Sequence, residues 1–273
     1  MAARDKYAMF WIAGAFISFL LYYSGITACY IYFRKRAAKR PRSIVITYHR
    51  INDDDDDPYI SVSTLNFRRQ MEYLKRDFEV VSLNTMISGK GPAGKDRVSI
   101  TFDDGYKDNY LNAYPILKES GLPATIFIST GAIGSEKRLS ADEIRKMKDD
   151  GIDFGSHTVT HPVLSKISIE QAAAEILDSK KSLEGLLNEK VGYFAYPFGK
   201  KAHFNGQITD IIRNAGYKAA FTTENGEVTD TSEPFSLARV GIRNCPLFVF
   251  KARISGIFES RPFTFVRQLL GVT

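Results

Sequence analysis

The sequence predicts an α/β domain, a closed (β/α) barrel of seven or eight strands preceded by one N-terminal transmembrane helix. Three observations predict it. Short β-branched runs alternate with amphipathic stretches from Ser43 onward, the pattern of a mainly parallel sheet. No Gly-rich phosphate loop appears early in the chain, which argues against an open doubly wound sheet. Residues 8–33 form a run of 26 uncharged residues, more than the roughly 20 apolar residues needed to cross a bilayer.

Each element has its own signal. Residues 43–48 (SIVITY) read as a buried strand. The five consecutive aspartates from Asp53 to Asp57 repel one another and read as a solvated loop. Residues 64–76 fit a helix, with Thr64 as N-cap and Leu65, Phe67, Met71 and Leu74 along its apolar face. Residues 78–83 are strand-like, and 97–102 (RVSITF) form a strand that runs into Asp103-Asp104-Gly105. A helix over 109–120 takes Gly121 as its C-cap. Residues 124–129 are a strand, and Ser140 with Glu143 makes a capping box that opens a helix to residue 149. A short strand over 152–156 leads into His157. A long amphipathic helix over 168–187, a strand over 192–196, a helix over 206–215 and a strand over 219–223 complete the series. In such barrels, polar residues at the C-terminal ends of strands face the active site. Asp103, Asp104, His157 and Pro197 each follow a predicted strand, so one mouth gathers them.

Charge divides the chain in two. The net charge is +6, but residues 1–42 hold eight basic side chains and one acid, which leaves 29 basic and 30 acidic residues beyond. Residues 1–42 therefore read as a membrane anchor with a basic juxtamembrane segment, and 43–273 as one domain. The basic residues are not spread over a folded face, so nucleic acid is not a predicted partner. Anionic lipid headgroups suit the cluster at 34–42. No protein partner is predicted. Cys29 falls in the apolar run and Cys245 in the domain, which argues against an intrachain disulfide.

Three readings fit the N-terminal run: an uncleaved single-pass anchor, a lipoprotein signal in which Ile26-Thr27-Ala28-Cys29 presents Cys29 for acylation, and a cleaved signal peptide. Its length favours the first.

The chemistry rests on five residues. Asp103 and Asp104 are adjacent, and Gly105 after them permits a turn that lets both reach one cavity. His157 and His161 stand at i and i+4, on one face of a helical turn, where two imidazoles can hold one divalent ion. Adding one carboxylate gives a two-His, one-carboxylate set with open positions for water and substrate, and the other carboxylate is free to act as a base. His49 follows the first strand, in Tyr48-His49-Arg50.

Thr101-Phe102-Asp103-Asp104-Gly105, then Ser156-His157-Thr158-Val159-Thr160-His161, then Tyr196-Pro197-Phe198-Gly199 resemble, in order and spacing, the first three motifs of the polysaccharide deacetylase family, the carbohydrate esterases with a NodB homology domain. The resemblance implies a distorted (β/α) barrel of about seven strands. It implies Asp103 as catalytic base, Asp104, His157 and His161 as metal ligands, and the Phe198 N–H as part of the oxyanion site. The metal is a divalent ion, zinc by default, with cobalt, nickel or iron also accepted by this ligand set. The reaction implied is removal of N-acetyl groups from a glycan.

Two departures from the family pattern matter. The arginine common in the third motif, which orients the base, is replaced by Ala195; Arg239 in Leu237-Ala238-Arg239-Val240 is the candidate substitute. The acid histidine usual near the C-terminal end is missing, because no histidine follows His203. Tyr48-His49-Arg50-Ile51 resembles the start of the circularly permuted poly-N-acetylglucosamine deacetylases, which makes His49 the expected general acid. His203 reads as a loop histidine, and Tyr106 as a residue near the cleft.

The expected function is metal-dependent N-deacetylation of an N-acetylhexosamine cell-envelope glycan or exopolysaccharide. Alternatives are a deformylase or deacetylase of a lipid-linked sugar and a non-catalytic glycan-binding protein on the same fold. Glycan chemistry favours a periplasmic or extracellular domain. The six basic residues after the apolar run, against two before it, point instead to the cytoplasm.

Overall fold

The computed structural model describes residues 16–37, 41–54, 57, 59–89 and 94–257. In chain order the elements are α1 (Phe16–Tyr23), α2 (Ile26–Ala37), β1 (Ser43–Tyr48), β2 (Arg50–Ile51), β3 (Ser61–Val62), α3 (Thr64–Asp77), β4 (Glu79–Val80), α4 (Leu83–Ser88), β5 (Arg97–Phe102), α5 (Tyr114–Ser120), β6 (Ala124–Ile128), α6 (Ala141–Asp149), β7 (Asp153–Ser156), α7 (Ile169–Leu187), β8 (Tyr193–Ala195), α8 (Gly206–Asn214), β9 (Ala219–Phe221), β10 (Val240–Gly241) and α9 (Leu247–Ser255). Arg42–Arg243 form one compact unit; the described residues on either side belong to a second.

In the smaller unit the apolar run is broken. Gly25 takes φ +77°, which only glycine adopts at no steric cost, and α1 meets α2 at a bend of 71°. Among the described residues no single helix is long and apolar enough to cross a membrane; by length and composition only this bent pair could. One straight span over 8–33 is therefore not observed, and residues 8–15 lie outside the described residues. Cys29 sits within α2 and is exposed. Leu21, Ala252 and Ile257 are buried together, with Ile17 and Tyr30 packed against them.

The larger unit is built on an all-parallel sheet in the order β10-β1-β5-β6-β7-β8-β9. β1 and β5 pair along their whole length, from Ser43 opposite Arg97 to Tyr48 opposite Phe102, and all but their first residues are buried, as strands covered on both faces require. The other edge of β5 is shared: β4 pairs with Arg97 and Val98, β6 with the last three residues. The expected closed barrel is thus a curled half-barrel. Between its last and first strands runs the segment 237–241. Leu237 bridges to Phe221 of β9, and β10 pairs with Ile46 and Thr47 of β1.

Period-two alternation sends Tyr193 and Ala195 of β8 and Ala219 and Phe221 of β9 into one core with Val45, Phe127 and Leu237, and Leu83 and Met86 of α4 join it. Gly155 of β7 lies opposite Phe127 of β6. A Cβ there would stand 2.5 Å from the Phe127 ring and 3.0 Å from the Tyr193 carbonyl oxygen. Gly155→Ala should therefore lower folding stability by about 1–3 kcal/mol through overpacking, read as a lower urea midpoint at unchanged slope.

Local sequence signals account for most helix starts. Ser140 and Glu143 form the capping box at α6, and Ser168 and Gln171 form another at α7. The cap of α3 is Ser63 rather than Thr64. Residues 78–83 hold only the two-residue strand β4 before Ser82 caps α4. The helix predicted from 109 opens with a π-helical turn, Asn109–Ala113, before α5 and its Gly121 cap.

Candidate active site

β5 delivers the two carboxylates. The Asp103 N–H continues the ladder past β5, donating to the Tyr48 carbonyl at 2.9 Å. The chain then turns sharply, with Asp104 at φ +71° and Gly105 at φ +63°. A Cβ on Gly105 would lie 2.6 Å from the terminal Cδ1 of Ile128, which can turn away, so it is the positive φ that favours glycine at this turn. Arg138 braces it, donating to the Asp104 carbonyl at 2.7 Å with its guanidinium 3.9 Å from the Tyr106 ring centroid. Arg138 was not identifiable from spacing, since its hydrogen bond is to backbone across 34 residues.

β7 delivers the histidines. The His157 N–H donates to the Ile128 carbonyl at 2.9 Å, and its Nδ1 lies 2.7 Å from the Ala195 carbonyl oxygen. A carbonyl only accepts, so Nδ1 carries the proton and Nε2 is left with its lone pair. That Nε2 is 3.6 Å from Asp104 Oδ1, and His161 Nε2 is 3.4 Å from the same oxygen. Burial pushes the His157 pKa down to about 4, against the pull of Asp103 and Asp104, so the ring is neutral and able to ligate at pH 7. The two histidines do not share a helical turn as the spacing suggested. Residues 157–163 form a loop in which Thr158 (φ +66°) and His161 (φ +61°) are left-handed, and this reversal brings the rings to a centroid distance of 4.7 Å.

These three residues could hold a metal. One ligand atom from each of Asp104, His157 and His161 lies within 4.8 Å of the others. Ligands at about 2.0–2.2 Å from a tetrahedral ion stand roughly 3.3–3.6 Å apart, and the observed Nε2 to Oδ1 separations match. The donor set and the fixed His157 tautomer suit a divalent ion.

Asp103 has different surroundings. Arg239 donates from Nη1 to Oδ1 and from Nη2 to Oδ2, both at 2.7 Å, a bidentate pair with both residues buried. Arg239 is itself held by the Thr222 carbonyl at 2.9 Å and by the hydroxyls of Thr47 and Thr101. Burial alone would raise the Asp103 pKa, but the Arg239 charge beside it outweighs this and holds the carboxyl far below the ordinary range. Ala195 is fully buried, and its main-chain carbonyl orients His157.

His49 stands one residue past β1, beside Asp103 one residue past β5, and it contributes to the field at Asp103. Asn109 anchors it, donating to the His49 carbonyl at 2.8 Å. Phe198 has φ +60° and a half-exposed ring 4.8 Å from that of His161 and 5.6 Å from that of His203. His203 accepts from the Lys200 N–H and so closes its own loop. Among the described residues five non-glycines have positive φ, and four of them, Asp104, Thr158, His161 and Phe198, lie here. Such backbone persists where surrounding structure enforces it and is concentrated at functional sites.

A buried carboxylate gripped by arginine, beside a carboxylate and two imidazoles spaced for a metal, defines a hydrolytic centre on a curled α/β sheet. The profile of the family described as Polysaccharide deacetylase matches residues 90–220, which contain all three motifs. The chain is 29% identical over 237 residues to the poly-beta-1,6-N-acetyl-D-glucosamine N-deacetylase of Staphylococcus aureus (strain MRSA252), covering 76% of this chain and 81% of that protein. Among solved structures it resembles the Streptococcus pyogenes deacetylase PplD in complex with acetate, with a TM-score of 0.69, 29% identity, and coverage of 75% of this chain and 94% of that one. BC0361, a polysaccharide deacetylase from Bacillus cereus, gives a TM-score of 0.68 at 29% identity over 79% of this chain and 69% of that one. Over the stretch that carries the three motifs the chain is similar to polysaccharide deacetylases. It is a hydrolase acting on carbon–nitrogen bonds.

Proposed function

We propose that the protein removes N-acetyl groups from an N-acetylhexosamine polymer, a cell-envelope glycan or exopolysaccharide, with one divalent ion, zinc by default, held by Asp104, His157 and His161. The observation that carries this reading is the contrast between adjacent carboxylates: Asp104 faces two imidazoles, whereas Asp103 is locked by Arg239. When bound, the ion supplies Lewis acidity to the acetyl carbonyl and makes water more acidic. Arg239 occupies two of the roughly four lone-pair positions of the Asp103 carboxylate, and the remainder can take the proton of the attacking water. The Phe198 N–H serves as the oxyanion donor. His49 protonates the departing nitrogen as the carbon–nitrogen bond breaks, giving acetate and a free amine. The Staphylococcus aureus relative, named for poly-beta-1,6-N-acetyl-D-glucosamine, supports a hexosamine polymer as substrate. The apolar N-terminal run attaches the protein to a membrane, with the catalytic unit outside the cytoplasm.

Incubation with β-1,6-linked N-acetylglucosamine oligomers should release acetate, stop on chelation and resume on addition of Zn2+. Acetate or formate released solely from lipid-linked sugars would overturn the polymer assignment, and metal-independent turnover would overturn the mechanism.

A further inference from the structure

His157 and His161 are held in different ways. The His157 imidazole is fixed by its own hydrogen bond to the Ala195 carbonyl. Among the described residues the His161 ring has no such bond; its nearest polar neighbour is Asp104, the residue it would share a metal with. With no hydrogen bond to fix the ring, its position depends on the backbone of the 157–161 loop and on the neighbouring rings of His157 and Phe198. That backbone is costly, because left-handed conformations at non-glycine residues are worth about 1–3 kcal/mol of strain each, and both Thr158 and His161 adopt one.

One side chain outside the motif answers this strain. Glu175, on α7, accepts the Val159 N–H and the Thr160 N–H, each at 2.8 Å, on one carboxylate oxygen, and the Thr160 hydroxyl at 2.6 Å on the other. All three donors lie between the two left-handed residues. The other side of the loop is bonded to the chain after β6, where the N–H groups of Thr130 and Gly131 donate to the carbonyls of Thr158 and Val159. One turn further along α7, Ser179 is 2.6 Å from the Ser156 hydroxyl, directly before His157. Positions i and i+4 of one helix face thus pin the chain on both sides of His157.

We propose that Glu175 is a positioning residue that sets the metal affinity of the site by holding His161 in ligating geometry. The inference rests on the metal reading of Asp104, His157 and His161. Glu175 touches neither the metal position nor substrate; it acts through the loop backbone. Charge-assisted bonds to two amides and a hydroxyl fix the distance between the two imidazoles, and outer partners of metal ligands typically govern about 10–100-fold in affinity.

The test is Zn2+ affinity of the full chain, measured by competition with a chromophoric chelator, together with the thermal midpoint of the metal-free protein. Glu175→Ala should weaken Zn2+ by about 10–100-fold. Glu175→Gln retains an acceptor for both amides and a group able to pair with the Thr160 hydroxyl, so it should recover most of that loss. Glu175→Asp, too short to reach, should not recover it. Thr160→Ala, which removes one bond and leaves the helix untouched, should weaken Zn2+ by a few-fold and serves if Glu175→Ala does not fold. Wild-type affinity in the Glu175→Ala or Thr160→Ala protein overturns the inference, as does equal loss in the Gln and Asp variants. A wild-type chain that binds no Zn2+ would instead overturn the metal reading.

Discussion

Arg239→Met should lower folding stability by about 3–5 kcal/mol, the usual consequence of removing one member of a buried ion pair. Turnover should fall by roughly 100-fold or more, because an unpaired Asp103 loses both its fixed orientation and its charge. The reason is local. The guanidinium is fully buried and supplies both bonds to Asp103. The sign of a second change separates this from generic core damage. Adding Asp103→Asn to Arg239→Met removes the stranded carboxylate, so the double variant should be more stable than Arg239→Met alone. Additive losses in urea unfolding would show that the pair is not the source of the effect.

Asp103→Asn alone should cut acetate release by roughly 100- to 10,000-fold, the range associated with loss of a positioned base, while Zn2+ binding stays near one ion per chain. His157→Ala should produce the opposite division, with the ion lost along with activity, because it deletes a ligand and leaves Asp103 on Arg239. Metal content and acetate release measured side by side on the two variants check both claims. Loss of Zn2+ from the Asp103→Asn protein would exchange the roles of the two aspartates.

Much of this arrangement was legible because short-range signals coincide with long-range ones. The capping boxes at Ser140 and Ser168, the buried runs at 43–48 and 97–102, and the polar residues just beyond strand ends each have a local physical cause, and the structure keeps them. Three features lacked a local cause. The His157–His161 spacing fits a helical turn equally well on paper, and only the left-handed residues between β7 and Pro162 exclude it. The strand-like composition of 78–83 gave no sign that Ser82 would start a helix. The uncharged run at 8–33 has the length of a span, yet a single Gly25 with positive φ bends its described part. Arg138 and Glu175 each bond main-chain atoms of a separate segment, which periodicity does not report.

The segment that spans the gap between β9 and β1 also carries Arg239. Asp103 and Arg239 are separated by 136 residues, so the grip on the carboxylate is made late in synthesis, after every strand of the curl except β10 has been translated. A nascent chain that has emerged only as far as β9 already holds both aspartates and both histidines. It lacks the countercharge that keeps Asp103 ionised. The partner charge of Asp103 therefore arrives with the final piece of the sheet.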